Sequence, residues 1–343
     1  MSRVASGVDV VPYRDDDLEP VLDLMDASLG PGPGGRRTPD LFLWKHQRNP
    51  FGRSFMLVAR ADDRIVGLRA FMRWEFRSGD NRVTAVRAVD TATHPAYRGR
   101  GIFSRLTEEA LRGLGPQVDL VFNTPNARSG PGYLKLGWRA VGKVPVSVRV
   151  RRPLRVARGA RSLRRRGRGP DVSRPAVVAE PAGEVLRALG GSLDELVRRA
   201  EMPGRRLHTP RTPSYLGWRY GEVPGLDYRA VGLRVGGHLR GLAIFRVRPR
   251  GGLWEASVAE VLVERGAVDA ARALLRRVRR AVPVDHLTCS FPGRTAAARA
   301  AARGGFVRVP AGPTLMVNPL RDIEPPPTVL SSWGLALGDL EVF

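Results

Sequence analysis

The chain has 343 residues, 43% of them hydrophobic, and a formal net charge of +24 at pH 7. That length and apolar content suit two globular domains with their own cores and exclude general disorder. No run near 18 apolar residues occurs and the N-terminus lacks an apolar signal core, so neither a membrane span nor export is expected, and a cytoplasmic location follows by default. The single cysteine, Cys289, excludes an internal disulfide and a multi-thiolate metal site, and its apolar neighbours predict a buried, inert thiol. No metal is expected. The positive charge draws anionic ligands toward the surface. Only Lys45, Lys135 and Lys143 are lysines, however, and the near-exclusive use of arginine reads as the codon bias of a GC-rich genome.

In chain order, Asp15 to Leu29 places apolar residues at helical spacing behind an acidic start. From Ser54 to Arg87 the pattern shifts to strands, FMLVAR, IVGLRAFMRWEF and then VTAVRAVDTAT, joined by polar turns as an antiparallel meander. Helical spacing returns over Ile102 to Leu114, followed by a short buried strand in VDLVF, a helix over Ala127 to Leu136, and a final strand, VPVSVRV. Residues 149–174 are rich in Arg and Gly with few apolar anchors, which predicts a solvated linker, with a polyanion such as RNA or acidic lipid as its alternative partner. A further helix is expected over Gly183 to Glu201.

The second half repeats the first. Trp44-Lys45 is followed six residues later by Pro50 and seventeen after that by Gly67; Trp218-Arg219, Pro224 and Gly241 have the same spacings. Each half closes on a strand, a short helix and a Gly-aromatic pair, Gly137-Trp138 and Gly305-Phe306. The pattern predicts a tandem duplication of one α/β domain. Residues 1–148 form the first copy and 175–320 the second, with 149–174 as linker and 321–343 as tail.

Only the first copy has a glycine-rich turn between strand and helix, Arg98-Gly99-Arg100-Gly101-Ile102-Phe103. A strand entering such a turn presents several backbone N–H groups at the positive end of a helix dipole, and the arginines add charge-assisted contacts, so this turn fits a pyrophosphate. The stretch resembles the pyrophosphate turn of the GNAT superfamily of N-acetyltransferases, Arg/Gln-x-x-Gly-x-Gly/Ala, through Arg98 and Gly101. The family's following motif, Asn-x-x-Ala-x-x-x-Tyr-x-Lys-x-Gly-Phe, is met by Asn126, Ser129, Tyr133, Lys135, Gly137 and Trp138, with Ser for Ala and Trp for Phe. One departure is Phe103, at a position where the family has a small residue and where a ring would crowd phosphate unless it faced the core.

The resemblance implies tandem GNAT folds of the α/β (α+β) class, each a mixed, mostly antiparallel sheet flanked by helices, the second copy degenerate. The layout and the closing WGLALGDLEVF are also similar to two-domain bacterial proteins related to the enhanced-intracellular-survival acetyltransferases. It further implies acetyl-CoA as co-substrate, held at Arg98, Gly99, Arg100, Gly101, Ile102, Phe103 and Ser104, by the Ala92 and Thr93 backbone of a splayed strand, and by Asn126 from the opposite side. Tyr133 falls at the family's general-acid position. Asp90 is the candidate base, with His94 and Glu75 as alternatives, and the related branch implies a terminal carboxylate near the site, here after Glu341-Val342-Phe343. The acceptor is a small-molecule or protein amine. Two other readings are a Fem-like transferase using aminoacyl-tRNA, which does not need the turn, and a non-catalytic polyanion-binding protein.

Overall fold

The computed structural model describes residues 7–30, 37–127, 129–164, 175–200, 202–310 and 312–340. The first half runs β1 (Val8–Pro12), α1 (Leu18–Leu29), α2 (Pro39–His46), β2 (Phe55–Ala61), β3 (Arg64–Ser78), β4 (Asn81–Thr93), α3 (Ile102–Leu114), β5 (Leu120–Asn123), α4 (Gly130–Lys135), β6 (Arg139–Lys143) and β7 (Val146–Val150). After α5 (Pro153–Arg164), the second half runs β8 (Glu180–Pro181), α6 (Ala182–Leu189), α7 (Gly191–Arg199), α8 (Pro213–Leu216), β9 (Tyr228–Val235), β10 (His238–Arg250), β11 (Leu253–Val263), α9 (Val268–Ala281), β12 (His286–Cys289), α10 (Ala296–Arg303), β13 (Val307–Val309), β14 (Thr314–Pro319) and α11 (Leu337–Leu340).

These strands form two seven-stranded sheets, β1-β2-β3-β4-β5-β14-β6 and β8-β9-β10-β11-β12-β7-β13. In each, one parallel pair is joined through a helix, β4-α3-β5 and β11-α9-β12, and the other pairings are antiparallel. The halves exchange one strand. β7 lies between β12 and β13, while β14 lies between β5 and β6. VPVSVRV therefore closes the second sheet and not the first, and a boundary at 148 falls inside β7. Residues 149–174 are likewise not wholly a linker: they begin in β7 and continue through α5, and positions 165–174 lie outside the described residues. The single helix expected from Gly183 is two, α6 and α7, broken at Gly190 with φ of 46°.

Local chemistry sets matching elements in both halves. Thr38 and Thr212 cap α2 and α8 by accepting from Leu41 N and Tyr215 N, with Pro39 and Pro213 at the first helical position. Gly67 and Gly241 let a helix approach the sheet: a Cβ at either would lie 2.8 Å from a neighbouring side-chain carbon, with Leu106 of α3 or Leu274 of α9 close by. Asp119 and Asp285 each accept from a backbone N–H at the start of the facing strand, Thr84 and Trp254, at 2.8 Å. A large central core, including Trp44, Trp74, Phe76, Phe122, Trp218 and Trp333, is shared by both halves. Separate cores lie under α3 and under α9. Cys289 is buried and burial raises its thiol pKa, as its apolar setting predicts.

Candidate active site

β4 and β5 pair only from Ala85–Leu120 to Arg87–Phe122. Beyond Arg87 they part, and among the described residues no strand pairs with the β5-facing edge of β4. A bulge marks this stretch: Leu68 opposes Ala92 and Ala70 opposes Val89, so two β4 residues, Asp90 and Thr91, face the single Arg69. Asp90 takes a φ of 43° there. His94 N–H donates to Val66 C=O across the β3 side, so by strand alternation Ala92 also faces β3 and Thr93 faces the gap. Ala92, expected to offer its backbone to a ligand, has those groups committed to the β3 ladder. Thr93 C=O points into the gap and accepts from the Ser28 hydroxyl at 3.1 Å.

The glycine-rich turn follows at the end of β4. Gly99 and Gly101 both have φ of 76°, which suits glycine and opens the backbone, and a Cβ at Gly99 would meet nothing within 4 Å. The first intrahelical bond of α3 runs from Arg105 N to Gly101 O, so the N–H groups of Ile102, Phe103 and Ser104 point out of the helix start. Arg98 donates to Ser28 C=O at 3.1 Å and Arg100 stacks on Tyr97, and among the described residues neither meets a carboxylate. Phe103 does not crowd the turn. Its ring packs edge-on against Tyr133, with centroids 5.6 Å apart.

Tyr133 is 4% exposed, and its Oη accepts from Arg69 Nη1 at 2.8 Å. Arg69 is fully buried, lies over the rings of Phe71, Phe103 and Tyr133, and also donates to Thr91 Oγ1. Its Nε and Nη2 have no hydrogen-bond partner among the described residues. Among the described residues it meets no carboxylate; burying a guanidinium so placed is costly, and the three surrounding rings offset part of that cost. Asn126 is exposed and closes the turn into α4, its Oδ1 accepting from Ser129 N at 3.0 Å and Ser129 Oγ at 3.2 Å.

Asp90 does not fit the role of base. Its Oδ2 accepts from Lys45 Nζ at 2.7 Å and from His46 Nε2 at 3.0 Å, with the carboxylate side chain 7% exposed. Burial alone would raise its pKa, yet the Lys45 charge and the His46 hydrogen bond hold it well below the usual carboxylate range. A carboxylate so held is a poor proton acceptor. Burial keeps His46 neutral by lowering its pKa, so Nε2–H donates to Asp90 and Nδ1 accepts from Ser54 Oγ at 2.9 Å. The two alternatives are also engaged: Glu75 is paired with Arg77 and Arg82, and His94 Nδ1 accepts from Ala96 N. Sequence reasoning missed Lys45, His46 and Arg69. The available signals were the charge beside the repeated Trp44 and the arginine inside the apolar run VGLRAF.

The second half has a matching opening, which the chain itself fills. β11 and β12 pair as far as Val258–Cys289, and beyond them Leu337 N–H donates to Ser290 C=O at 3.1 Å. Gly338 lies against Glu260, the counterpart of Asp90, and Tyr220, the counterpart of His46. From there the tail reaches the apex of the first opening, where Arg87 donates to Asp339 O at 2.6 Å, to Leu340 O at 3.1 Å and to Thr124 Oγ1 at 3.3 Å. Residues 341–343, and with them the terminal carboxylate, lie outside the described residues.

The family profile described as an acetyltransferase (GNAT) domain matches residues 9–141. A probable N-acyltransferase from Enterococcus faecalis superposes with a TM-score of 0.60 at 14% identity, covering 91% of this chain and 73% of its own. A GCN5-related N-acetyltransferase from Anabaena variabilis gives 0.58 at 12% identity, with 92% and 73% covered. Eis1 from Mycobacterium abscessus gives 0.53 at 15% identity, with 91% and 73% covered. At these identities the likeness concerns the fold. No curated protein matches the sequence. Among the described residues no helix is long and apolar enough to cross a membrane, and no group of metal-ligating side chains is assembled. Residues 9–141, which carry the open β4 edge and the glycine turn, thus match a GNAT acetyltransferase domain, and the chain as a whole, with its two matching sheets, is similar in fold to N-acyltransferases such as Eis1.

Proposed function

We propose that the protein transfers an acetyl group from acetyl-CoA directly to an amine, with both bound in the first half. The observation that carries this reading is the parting of β4 from β5 beyond Arg87, directly before the Gly99–Gly101 turn. The open edge fits an extended amide-bearing arm, because Thr93 faces the gap. The turn fits a pyrophosphate, because three backbone N–H groups point out of the helix start there and, among the described residues, neither Arg98 nor Arg100 in the turn meets a carboxylate. Acetyl-CoA supplies an activated thioester. Tyr133 Oη, which accepts from Arg69, keeps its own hydrogen to give to the departing sulfur. Arg69 places a fixed positive charge beside that oxygen, where negative charge remains after donation. Asn126 orients the loop across the gap rather than supplying chemistry. The acceptor is a small-molecule or protein amine, and the positive surface favours an acidic one.

Calorimetric titration with acetyl-CoA tests the reading. Wild-type protein is expected to bind, and an Arg98→Ala, Gly101→Asp double variant to bind about ten- to a hundredfold more weakly. Absence of binding by the wild type would remove the acetyltransferase reading and leave polyanion binding in its place.

A further inference from the structure

The two halves share a scaffold but differ sharply at one place. On α9, Arg272, Arg276 and Arg279 are spaced four and three residues apart, so they share a helix face. Together with Arg149 of β7 and Arg303 at the end of α10 they line a concave pocket floored by Leu275, Leu287 and Phe306. Among the described residues no acidic one lines it. Among the described residues none of these five guanidinium groups makes an ion pair or donates a hydrogen bond to the protein, although Arg149 and Arg279 are partly buried. Burial and the neighbouring charges of Arg279 and Arg151 lower the Arg149 pKa, as expected of cations packed together.

Codon bias does not explain the cluster, because it would act on both halves alike. Leu106 and Leu274 pack against the equivalent glycines, Gly67 and Gly241, which fixes the alignment of α3 with α9. On that alignment Arg272, Arg276 and Arg279 correspond to Ser104, Glu108 and Leu111, and Arg303 corresponds to Lys135. Gly137 faces Asn318 where Gly305 faces Arg149, so Arg149 corresponds to Asn318. Around the first sheet, with the same architecture, these five positions hold one lysine and one glutamate where the second sheet has five arginines.

We propose that this pocket between α9, α10 and β7 is a second ligand site, taking a small anion with two or more adjacent phosphates. Converging guanidinium groups match the oxygens of such a ligand, and the missing carboxylates leave their charge for it. The curved, apolar-floored shape fits a compact oligophosphate better than a duplex or a membrane plane. The site is separate from the glycine turn, which opens α3 in the other half. It does not depend on the first half being an acetyltransferase.

The test is calorimetric titration of the full chain with inorganic tripolyphosphate, at two salt concentrations. Three proteins are compared: wild type, Arg276→Glu with Arg279→Glu, and Arg98→Ala. The expected result is binding that weakens with salt, persists in Arg98→Ala, and falls at least about tenfold in the α9 double variant. A milder pair, Arg272→Gln with Arg276→Gln, is expected to raise the unfolding temperature without ligand and lose the rise that tripolyphosphate gives the wild type. No binding by the wild type, loss in Arg98→Ala instead of the α9 variant, or binding of duplex DNA where tripolyphosphate fails would each overturn the proposal.

Discussion

At the scale of single residues, the Lys45–Asp90–His46 contact fixes the backbone distortion on which the open edge of β4 depends. Asp90 sits at positive φ and is held from two sides by α2, so the bulge is tied to a helix rather than left to the strand. Asp90→Asn separates charge from backbone conformation, since asparagine tolerates the same φ. The variant removes the Asp90 charge from beside the buried Lys45 ammonium and is expected to be less stable at pH 7, by up to about 3–5 kcal/mol in urea unfolding. Because the folded-state pKa of Asp90 is depressed, its contribution is present above the ordinary carboxylate pKa near ~3.9 and lost as pH falls below it. The gap between wild type and variant should therefore close in acid, and a gap independent of pH would show that the ion pair is not its source. Glu255 gives a second check. Burial would raise its pKa, but His286, Arg248 and Arg250 bring it down to about 2. Glu255→Gln should thus cost about 3 kcal/mol at pH 7 and progressively less between pH ~4.5 and ~2. The positive-φ glycines of the turn and the placement of Tyr133 on the next helix follow from short-range spacing in the sequence. The occupation of Asp90 does not, since its partners lie more than forty positions away.

At the scale of elements, the exchange of β7 and β14 makes each half incomplete. The β5–β6 gap of the first sheet is filled from the second half, and the β12–β13 gap of the second sheet from the first. The repeat, the meander and the helix after the turn follow from periodicity. The exchange does not, because β7 and β14 are both short and largely apolar, and nothing in either pattern names its neighbours. Expressed alone, residues 1–164 would have an open slot between two strands and a surplus β7 with no partner, and should aggregate or remain unfolded. Expressed together with residues 175–343, they should copurify as a folded pair with a single cooperative melting transition. A soluble, cooperatively melting 1–164 fragment on its own would contradict this account of the fold.

At the scale of the whole molecule, the two halves meet as the subunits of a twofold dimer would. Trp44 and Trp218 stack 4.7 Å apart and exchange hydrogen bonds, each indole N–H donating to the other's carbonyl at 2.8 and 3.0 Å. The tail breaks this symmetry. It fills the opening of the second half and is pinned there by Asp339, whose Oδ2 accepts from Arg211 at 2.8 Å and from Ala336 N at 2.7 Å. Burial disfavours the Arg211 charge, but Asp339 and Glu260 outweigh it and raise its pKa. The same stretch ends on Arg87 at the apex of the first opening. Asp339→Ala removes one of the two carboxylates from a buried arginine and should cost about 3–5 kcal/mol of stability. If the tail also shapes the first opening, acetyl-CoA affinity should fall with it, measured by calorimetry well below the variant's melting temperature. Lost stability with unchanged affinity would confine the tail to closing the second half, and the two openings would then act independently.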